Sequence, residues 1–162
     1  MDREHDLAAA LDEETRVARD LVAVLRREQR AMVGLAPQAI FACLEERRTL
    51  EAELGRLAGR RRTLVRACAG DPGAEVATLA AVLRTRLPPV LQERVAAGLH
   101  ALRGELAAAR SLERQNARLA RESLASVAEL IRALRGLVPG ARYDAEARVD
   151  VPTALESLDR RV

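Results

Sequence analysis

The fold is decided by residues 89–138, PVLQERVAAGLHALRGELAAARSLERQNARLARESLASVAELIRALRGLV, which contain no proline after the first residue. In the first half of this stretch, apolar residues recur three or four positions apart, at Leu91, Val95, Leu99, Leu102 and Leu106. This spacing places side chains on one face of an α-helix. The stretch therefore predicts a single amphipathic helix about 70 Å long, at 1.5 Å per residue.

The apolar pattern of this helix changes partway along. Residues 110–118 are mostly polar, and apolar residues then return on a face wider than a coiled-coil seam, at Leu119, Leu124, Val127, Leu130, Ile131, Leu134, Leu137 and Val138. A broad apolar face at the end of a long helix is typical of a second contact surface. The alternative, which the pattern favours equally, is that this face packs inside the protein against earlier helices.

Upstream of the long helix, Gly- and Pro-containing breaks separate three further predicted helices, over residues 2–33, 37–69 and 74–84. The first two carry narrow apolar stripes, at Leu7, Leu11, Ala18, Leu21 and Leu25, and at Ile40, Cys43, Leu44, Leu50, Leu54, Leu57, Leu64 and Val65. Helices joined by so short a connection are normally antiparallel neighbours. We predict that residues 1–138 form one helical domain.

The composition also favours helices. The chain is 49% hydrophobic, but it has one Phe, one Tyr and no Trp, and its apolar residues are mainly Leu, Ala and Val. Leu and Ala are strong helix formers, whereas sheets prefer aromatic and β-branched residues. The predicted fold is all-α: an elongated antiparallel helical bundle or coiled-coil hairpin with one long C-terminal helix.

Residues 139–162 follow Pro139-Gly140 and form a predicted mobile tail. The tail contains the only tyrosine, Tyr143, and a short amphipathic segment with Val151, Leu155, Leu158 and Val162. Asp150, two residues before Pro152, suits the start of a last helical turn. A segment this short cannot bury its own apolar face, so we expect it to order on a partner; a frayed terminus is the alternative.

The charged residues are balanced. All 27 basic residues are arginines, and 24 acidic residues leave a net charge of +3. Many lie one helical turn from an opposite charge, as Glu45 does from Arg48, which is typical of solvated helix faces. The densest basic cluster, in residues 56–66, has no aromatic residue near it for stacking on bases. We therefore predict no nucleic-acid partner.

The sequence carries no recognisable catalytic or ligand-binding motif. His5 and His100 lack the Glu three residues earlier that a carboxylate-bridged metal site in a bundle requires. Cys43 and Cys68 lie within apolar helical patterns and are predicted to be reduced core residues. Phosphate-loop and nucleophile-elbow motifs are absent from the sequence. We predict a binding protein that is not an enzyme and uses no metal or other cofactor.

The first residues, MDREHDLAAALDEE, are acidic and do not resemble a signal peptide. No apolar run approaches the roughly 20 residues that a membrane span needs. We therefore expect a cytoplasmic protein without membrane insertion.

Two stretches and their order resemble the FlgN family of flagellar export chaperones. Residues 20–64, DLVAVLRREQRAMVGLAPQAIFACLEERRTLEAELGRLAGRRRTL, resemble the family's first two helices, with a Leu stripe leading to a Glu, here Glu28. Residues 114–149, RQNARLARESLASVAELIRALRGLVPGARYDAEARV, resemble its last helix and tail, with an Asn, an apolar stretch and a Tyr. The family commonly has a Gly shortly after that Tyr, whereas this chain continues with Asp-Ala-Glu-Ala.

The resemblance implies a chaperone that uses no nucleotide. It would hold hook-filament junction (hook-associated) proteins unassembled and deliver them to the flagellar type III export apparatus. The family binds clients through the end of the last helix and the tail. The predicted client-binding residues are Asn116, Leu119, Ser123, Leu124, Val127, Leu130, Ile131, Leu134, Leu137, Val138, Tyr143, Val151, Leu155 and Leu158.

Two other hypotheses stay open at this point. The apolar stripes also suit a structural adaptor that dimerises as a coiled coil, and a weak homodimer is compatible with the chaperone as well. The chain is also compatible with another type III secretion accessory hairpin, one that binds the export ATPase. The three hypotheses differ in the partner that they predict.

Overall fold

The computed structural model describes residues 2–69, 87–137, 142–143 and 149–150. It contains three long helices, α1 (Asp2–Val33), α2 (Pro37–Ala69) and α3 (Pro89–Leu137). The predicted all-α fold with a long C-terminal helix is therefore confirmed. The predicted helix over residues 74–84 and the amphipathic segment after residue 150 lie outside the described residues. Among the described helices, none has the length and apolar character needed to cross a membrane.

The chain divides into two compact units, Met1–Leu119 and Ala120–Val162. The first unit contains α1, α2 and the beginning of α3, and the second contains the rest of α3. The single domain over residues 1–138 stays a prediction. The second unit also contains β1 (Arg142–Tyr143) and β2 (Val149–Asp150), two short strands that pair antiparallel.

The turn between α1 and α2 is a Schellman motif. The N–H of Ala36 donates to the carbonyl of Ala31 (3.0 Å), and the N–H of Leu35 donates to the carbonyl of Met32 (3.2 Å). These are the two hydrogen bonds that define the motif. Leu35 occupies the position with left-handed backbone, at φ 51°. Glycine is usual at that position, but here the glycine, Gly34, comes one residue earlier.

Polar contacts fix the directions of the helices in the first unit. Between α1 and α2, the contacts near the start of α1 reach the far part of α2, as in Glu13 with Arg60 (3.4 Å) and Glu14 with Arg61 (2.7 Å). The contact near the end of α1, Arg27 with Glu46, reaches the near part of α2. These two helices are therefore antiparallel. Between α1 and α3, both numbers rise together: Asp12 with Arg94 (2.6 Å), Arg19 with Glu105 (3.1 Å), and Gln29 with Gln115 (3.2 Å). These two helices are therefore parallel.

The core of the first unit is built around α1, which supplies more than half of the buried apolar residues. One cluster combines Leu7, Leu11 and Ala18 of α1 with Val65 of α2 and Leu91, Val95 and Leu102 of α3. A second combines Leu21, Val22 and Leu25 of α1 with Ala109 of α3. Each fully buried Leu stabilises the fold by about 1.5–3 kcal/mol. The α1 stripe is therefore the main source of bundle stability.

Proline determines where α2 and α3 begin. Pro37 and Pro89 occupy the first helical positions, where a missing N–H leaves no hydrogen bond unmade. Farther along α3, Gly98 allows close contact with α1, because a Cβ at this position would lie 3.3 Å from the Cβ of Leu11. Local sequence thus sets both the helix starts and one close helix approach.

Candidate functional site

The second unit presents a row of apolar side chains on α3, which we call the α3 stripe: Leu124, Val127, Leu130, Ile131 and Leu134. Their exposed fractions range from 41% for Ile131 to 70% for Leu124. Most successive members lie three or four residues apart, so they share one face of the helix. A face that packed inside the protein would be buried, whereas these five side chains are exposed.

The neighbouring positions of α3 are polar. Every residue from 121 to 135 is exposed, and the stripe is accompanied by charged residues such as Glu129 and Arg132. The hydroxyl of Ser126 donates to the carbonyl of Glu122 (3.1 Å), one turn back in the same helix. The arrangement is an amphipathic helix whose apolar face has no cover among the described residues. It can bind an apolar surface of a partner.

The remaining predicted client-binding residues fall into three groups. Ser123 is exposed beside the stripe, and Leu119 is half-buried. Leu137 lies at the end of α3 and Tyr143 in β1, and for both only the backbone is described. Val138, Val151, Leu155 and Leu158 lie outside the described residues. The structure thus brings five of the predicted residues, with Ser123, onto one exposed helix segment.

Asn116 differs from the rest of the predicted set because it is buried, at 2% exposure. Its Nδ2 donates to the carbonyl of Leu25 (3.0 Å) and to Oε2 of Glu28 (3.2 Å), both on α1. Its Oδ1 accepts no hydrogen bond from the described part of the chain. The structure therefore gives Asn116 a contact within the first unit, and its role in client binding stays a prediction.

Arg47 of α2 joins carboxylates from all three helices. It lies 2.6 Å from Glu51 of its own helix, 3.2 Å from Glu113 of α3 and 3.9 Å from the buried Glu28 of α1. Burial alone lowers the pKa of Arg47, but the hydrogen bond to Glu51 and the three nearby negative charges outweigh it. The pKa of Arg47 is therefore raised, and the guanidinium stays charged. Together with Asn116, these residues form the Arg47 cluster.

A second buried carboxylate, Glu14 of α1, pairs with Arg61 of α2. Nε of Arg61 donates to one carboxylate oxygen (2.7 Å), and a terminal nitrogen donates to the other (3.4 Å). The Glu14 side chain is 3% exposed, so the pair lies within the helix interface. The apolar pattern of α1 did not predict the burial of either carboxylate. The sequence does carry one signal: the apolar residues of α1 repeat every seven residues, and at positions 14 and 28 this repeat has a Glu in place of an apolar residue.

The described residues contain no group of His, Cys, Asp and Glu side chains that could hold a metal ion. Cys43 is buried and Cys68 is half-buried, and neither forms a disulfide. The buried charges at Glu14 and Glu28 serve ion pairs between helices. The exposed apolar feature of the second unit is the α3 stripe.

Comparisons with known proteins assign the chain to a family. Searches among curated proteins and solved structures gave no match. The family model described as FlgN protein matches residues 1–149, a span that includes α1, α2, all of α3 and β1. The helical fold with its long amphipathic helix α3 agrees with this match. The match shows that the chain belongs to the FlgN family of flagellar export chaperones.

Proposed function

We propose that this protein is a cytoplasmic chaperone that binds hook-filament junction proteins, prevents their premature assembly and delivers them to the type III export apparatus. The observation that supports the proposal is the exposed α3 stripe. An amphipathic client helix would pack its apolar face on these side chains. While bound, that client surface is covered and cannot assemble with other subunits.

The energy available from the stripe sets a lower limit on the size of the client interface. Complete burial of a Leu-sized side chain is worth about 1.5–3 kcal/mol, and these five are about half-exposed, so burying them yields roughly 5 kcal/mol. Association costs at least about 4 kcal/mol in lost rigid-body freedom. The stripe alone therefore gives weak binding. We propose that Leu137, Val138, Tyr143 and the segment with Val151, Leu155 and Leu158 extend the interface.

The proposed activity is binding without catalysis. The apolar stripe supplies no acid, base or nucleophile. Client release then depends on competition with the export apparatus, and the chaperone itself needs no nucleotide or metal. This distinguishes it from a chaperone that uses nucleotide hydrolysis to drive release.

Co-expression with a hook-filament junction protein tests the proposal. The wild type should form a stable complex that copurifies, and Leu130→Asp with Leu134→Asp should weaken it at least about tenfold, because two charges would be buried unpaired. The matched control is Ala125→Asp with Ala133→Asp, which adds the same charge at exposed positions off the stripe. Full binding by the stripe variant would overturn the site assignment.

A second candidate function is that of a coiled-coil adaptor. Leu124, Val127, Ile131 and Leu134 follow the alternating three- and four-residue steps of a coiled-coil seam, which would also suit a homodimer. Sedimentation at low concentration separates the two functions. A stable dimer that has no affinity for hook-filament junction proteins would favour the adaptor, and preference for the export ATPase would favour an accessory hairpin.

A further inference from the structure

The first unit has an exposed apolar feature of its own, at the turn between α1 and α2. Residues 31–44, AMVGLAPQAIFACL, contain no charged residue in a chain that is 31% charged. We call this stretch the hairpin tip. Within it, the large apolar residues Val33, Leu35 and Phe41 are 71%, 80% and 67% exposed. Exposed apolar side chains concentrated in one short segment are typical of an interaction surface.

The backbone supports the same conclusion. Leu35 adopts the left-handed conformation that completes the Schellman turn, and this conformation is unfavourable for a residue with a branched apolar side chain. Glycine or asparagine would fit there without that cost. The side chain of Leu35 gains no compensating burial, because it points into solvent. Such an outlier is a reason to look for a function of the side chain.

The charges beside the tip indicate the chemistry of a partner. Arg26, Arg30 and Val33 lie four and three residues apart, so they share one face of α1. Both arginines are exposed, and the described residues provide neither of them with an ion pair, whereas Arg27 pairs with Glu46. Arg26 and Arg30 are also like charges one turn apart, which is unfavourable in isolation. An acidic group of a partner would relieve this repulsion.

We propose that the hairpin tip is a second docking surface, which takes an amphipathic protein helix that carries acidic residues beside its apolar face. Leu35, Phe41 and Val33 would supply the apolar contact, and Arg26 and Arg30 would pair with the acidic residues. This surface lies in the first unit and is separate in sequence from the α3 stripe. A client and a further protein would therefore bind to different residues of this chain.

Two other occupants fit the observations less well. A two-fold dimer through the hairpin tip would bring two copies of Arg26 and Arg30 into one interface, and residues 31–44 contain no acidic residue to pair with them. The interface would also fall short of the roughly 800 Å² per partner that is typical of stable complexes, since even Phe41 contributes at most about 150–250 Å². For a membrane, three side chains bury less apolar surface than one myristoyl chain, which alone gives only marginal binding.

Two synthetic helical peptides test the proposal on the full-length chain. Both carry Leu at positions i, i+3, i+4 and i+7, and one has Glu and the other Lys beside this apolar face. Binding is followed by the amide NMR shifts of residues 31–44. We expect the acidic peptide to shift Gly34, Leu35 and Phe41, and to bind about tenfold more tightly than the basic peptide. Equal responses to both peptides would overturn the proposal.

Variants separate recognition from folding. Leu35→Asn suits the same backbone conformation, so it should fold at least as well as the wild type and yet weaken the acidic peptide about fivefold. Phe41→Ala should weaken it similarly. Arg26→Glu with Arg30→Glu should reverse the preference toward the basic peptide. Unchanged peptide binding in these variants would contradict the assignment.

The remaining controls identify other occupants. The stripe variant Leu130→Asp with Leu134→Asp should keep the amide shifts that the acidic peptide causes at the hairpin tip. The client proposal and the hairpin-tip proposal can therefore fail independently of each other. Binding to phosphatidylcholine vesicles containing phosphatidylglycerol that is lost in Phe41→Ala would overturn the proposal in favour of a membrane. Self-association that is lost in the same variant would overturn it in favour of a second copy.

Discussion

Asn116 is an amide in a largely apolar helix interface. Its Nδ2 donates to the carbonyl of Leu25 and to the carboxylate of Glu28 on α1. Glu28 in turn lies 3.9 Å from Arg47 on α2. A single polar residue in a helix interface commonly lowers stability but fixes the alignment of the helices. This position indicates that Asn116 aligns α3 with α1.

We predict that Asn116→Asp lowers the free energy of unfolding by about 2–4 kcal/mol, because it removes the amide donor and places a second carboxylate beside the buried Glu28. Urea denaturation measures the loss. The control is Gln115→Glu, an equal change of charge at the exposed neighbouring position, which should stay within about 0.5 kcal/mol of the wild type. Equal losses in both variants would contradict the buried contact.

At the scale of the helices, the two buried carboxylates form a pair of polar layers in the α1–α2 interface. Glu14 faces Arg61 and Glu28 lies near Arg47. The carboxylates are 28 − 14 = 14 residues apart, and the arginines are 61 − 47 = 14 residues apart. Two layers with equal spacing on antiparallel helices can pair at the same time only in one alignment.

The neighbours of these residues show what a misaligned hairpin would cost. A slip by seven residues would place Glu14 opposite position 54 or 68, and Glu28 opposite position 40 or 54. These positions hold Leu54, Cys68 and Ile40. A buried charge without its partner costs about 3–5 kcal/mol. The polar layers therefore disfavour the slips that a purely apolar stripe would permit.

A double-mutant cycle with Glu14→Gln and Arg61→Gln should give a coupling energy of about 1–3 kcal/mol, because the pair is largely buried and makes two hydrogen bonds. The comparison is the exposed pair Arg16 and Asp20 (3.2 Å), for which we expect about 0.3–0.5 kcal/mol. Unfolding free energies from urea titrations supply both values. Equal coupling in the two cycles would show that the Glu14–Arg61 pair is solvated.

The sequence was sufficient to predict α1, α2 and α3 but not this pairing. Proline and glycine mark the breaks, and the absence of proline predicts α3 as one helix. The apolar stripe of α1 runs through Leu11, Ala18 and Leu25, and the acidic residues at positions 14 and 28 are gaps in it. Stripes of Leu look alike in every helix. Which helix is central depends on tertiary packing, which periodicity alone does not contain.

At the scale of the whole molecule, the folded core and the exposed α3 stripe contain different leucines. Leu25 is fully buried, whereas Leu130 is 59% exposed. We predict that Leu25→Ala lowers the free energy of unfolding by about 2–5 kcal/mol, while Leu130→Ala changes it by less than about 0.5 kcal/mol. Chemical denaturation of the two variants checks this. A large loss in Leu130→Ala would mean that the α3 stripe is part of the folded core.

The candidate site could be predicted only in part. Leu124 and Ile131, seven residues apart, predict an apolar face, but Val95 and Leu102 have the same seven-residue spacing and are buried. Whether such a face is covered depends on the helices around it, so its exposure had to come from the structure. Asn116 shows the reverse case: a polar residue within the predicted set that proved to be buried.

The equal spacing of the two polar layers also limits how the length of this chain can change. A residue inserted in the turn, between Glu28 and Arg47, leaves both layers in place. A residue inserted between Glu14 and Glu28 breaks one layer unless α2 gains a residue between Arg47 and Arg61, and it also shifts the contact of Glu28 with Asn116 relative to that of Asp12 with Arg94 unless α3 gains one as well. Insertions and deletions are therefore tolerated at the turn, whereas within the helices they must occur in α1, α2 and α3 together.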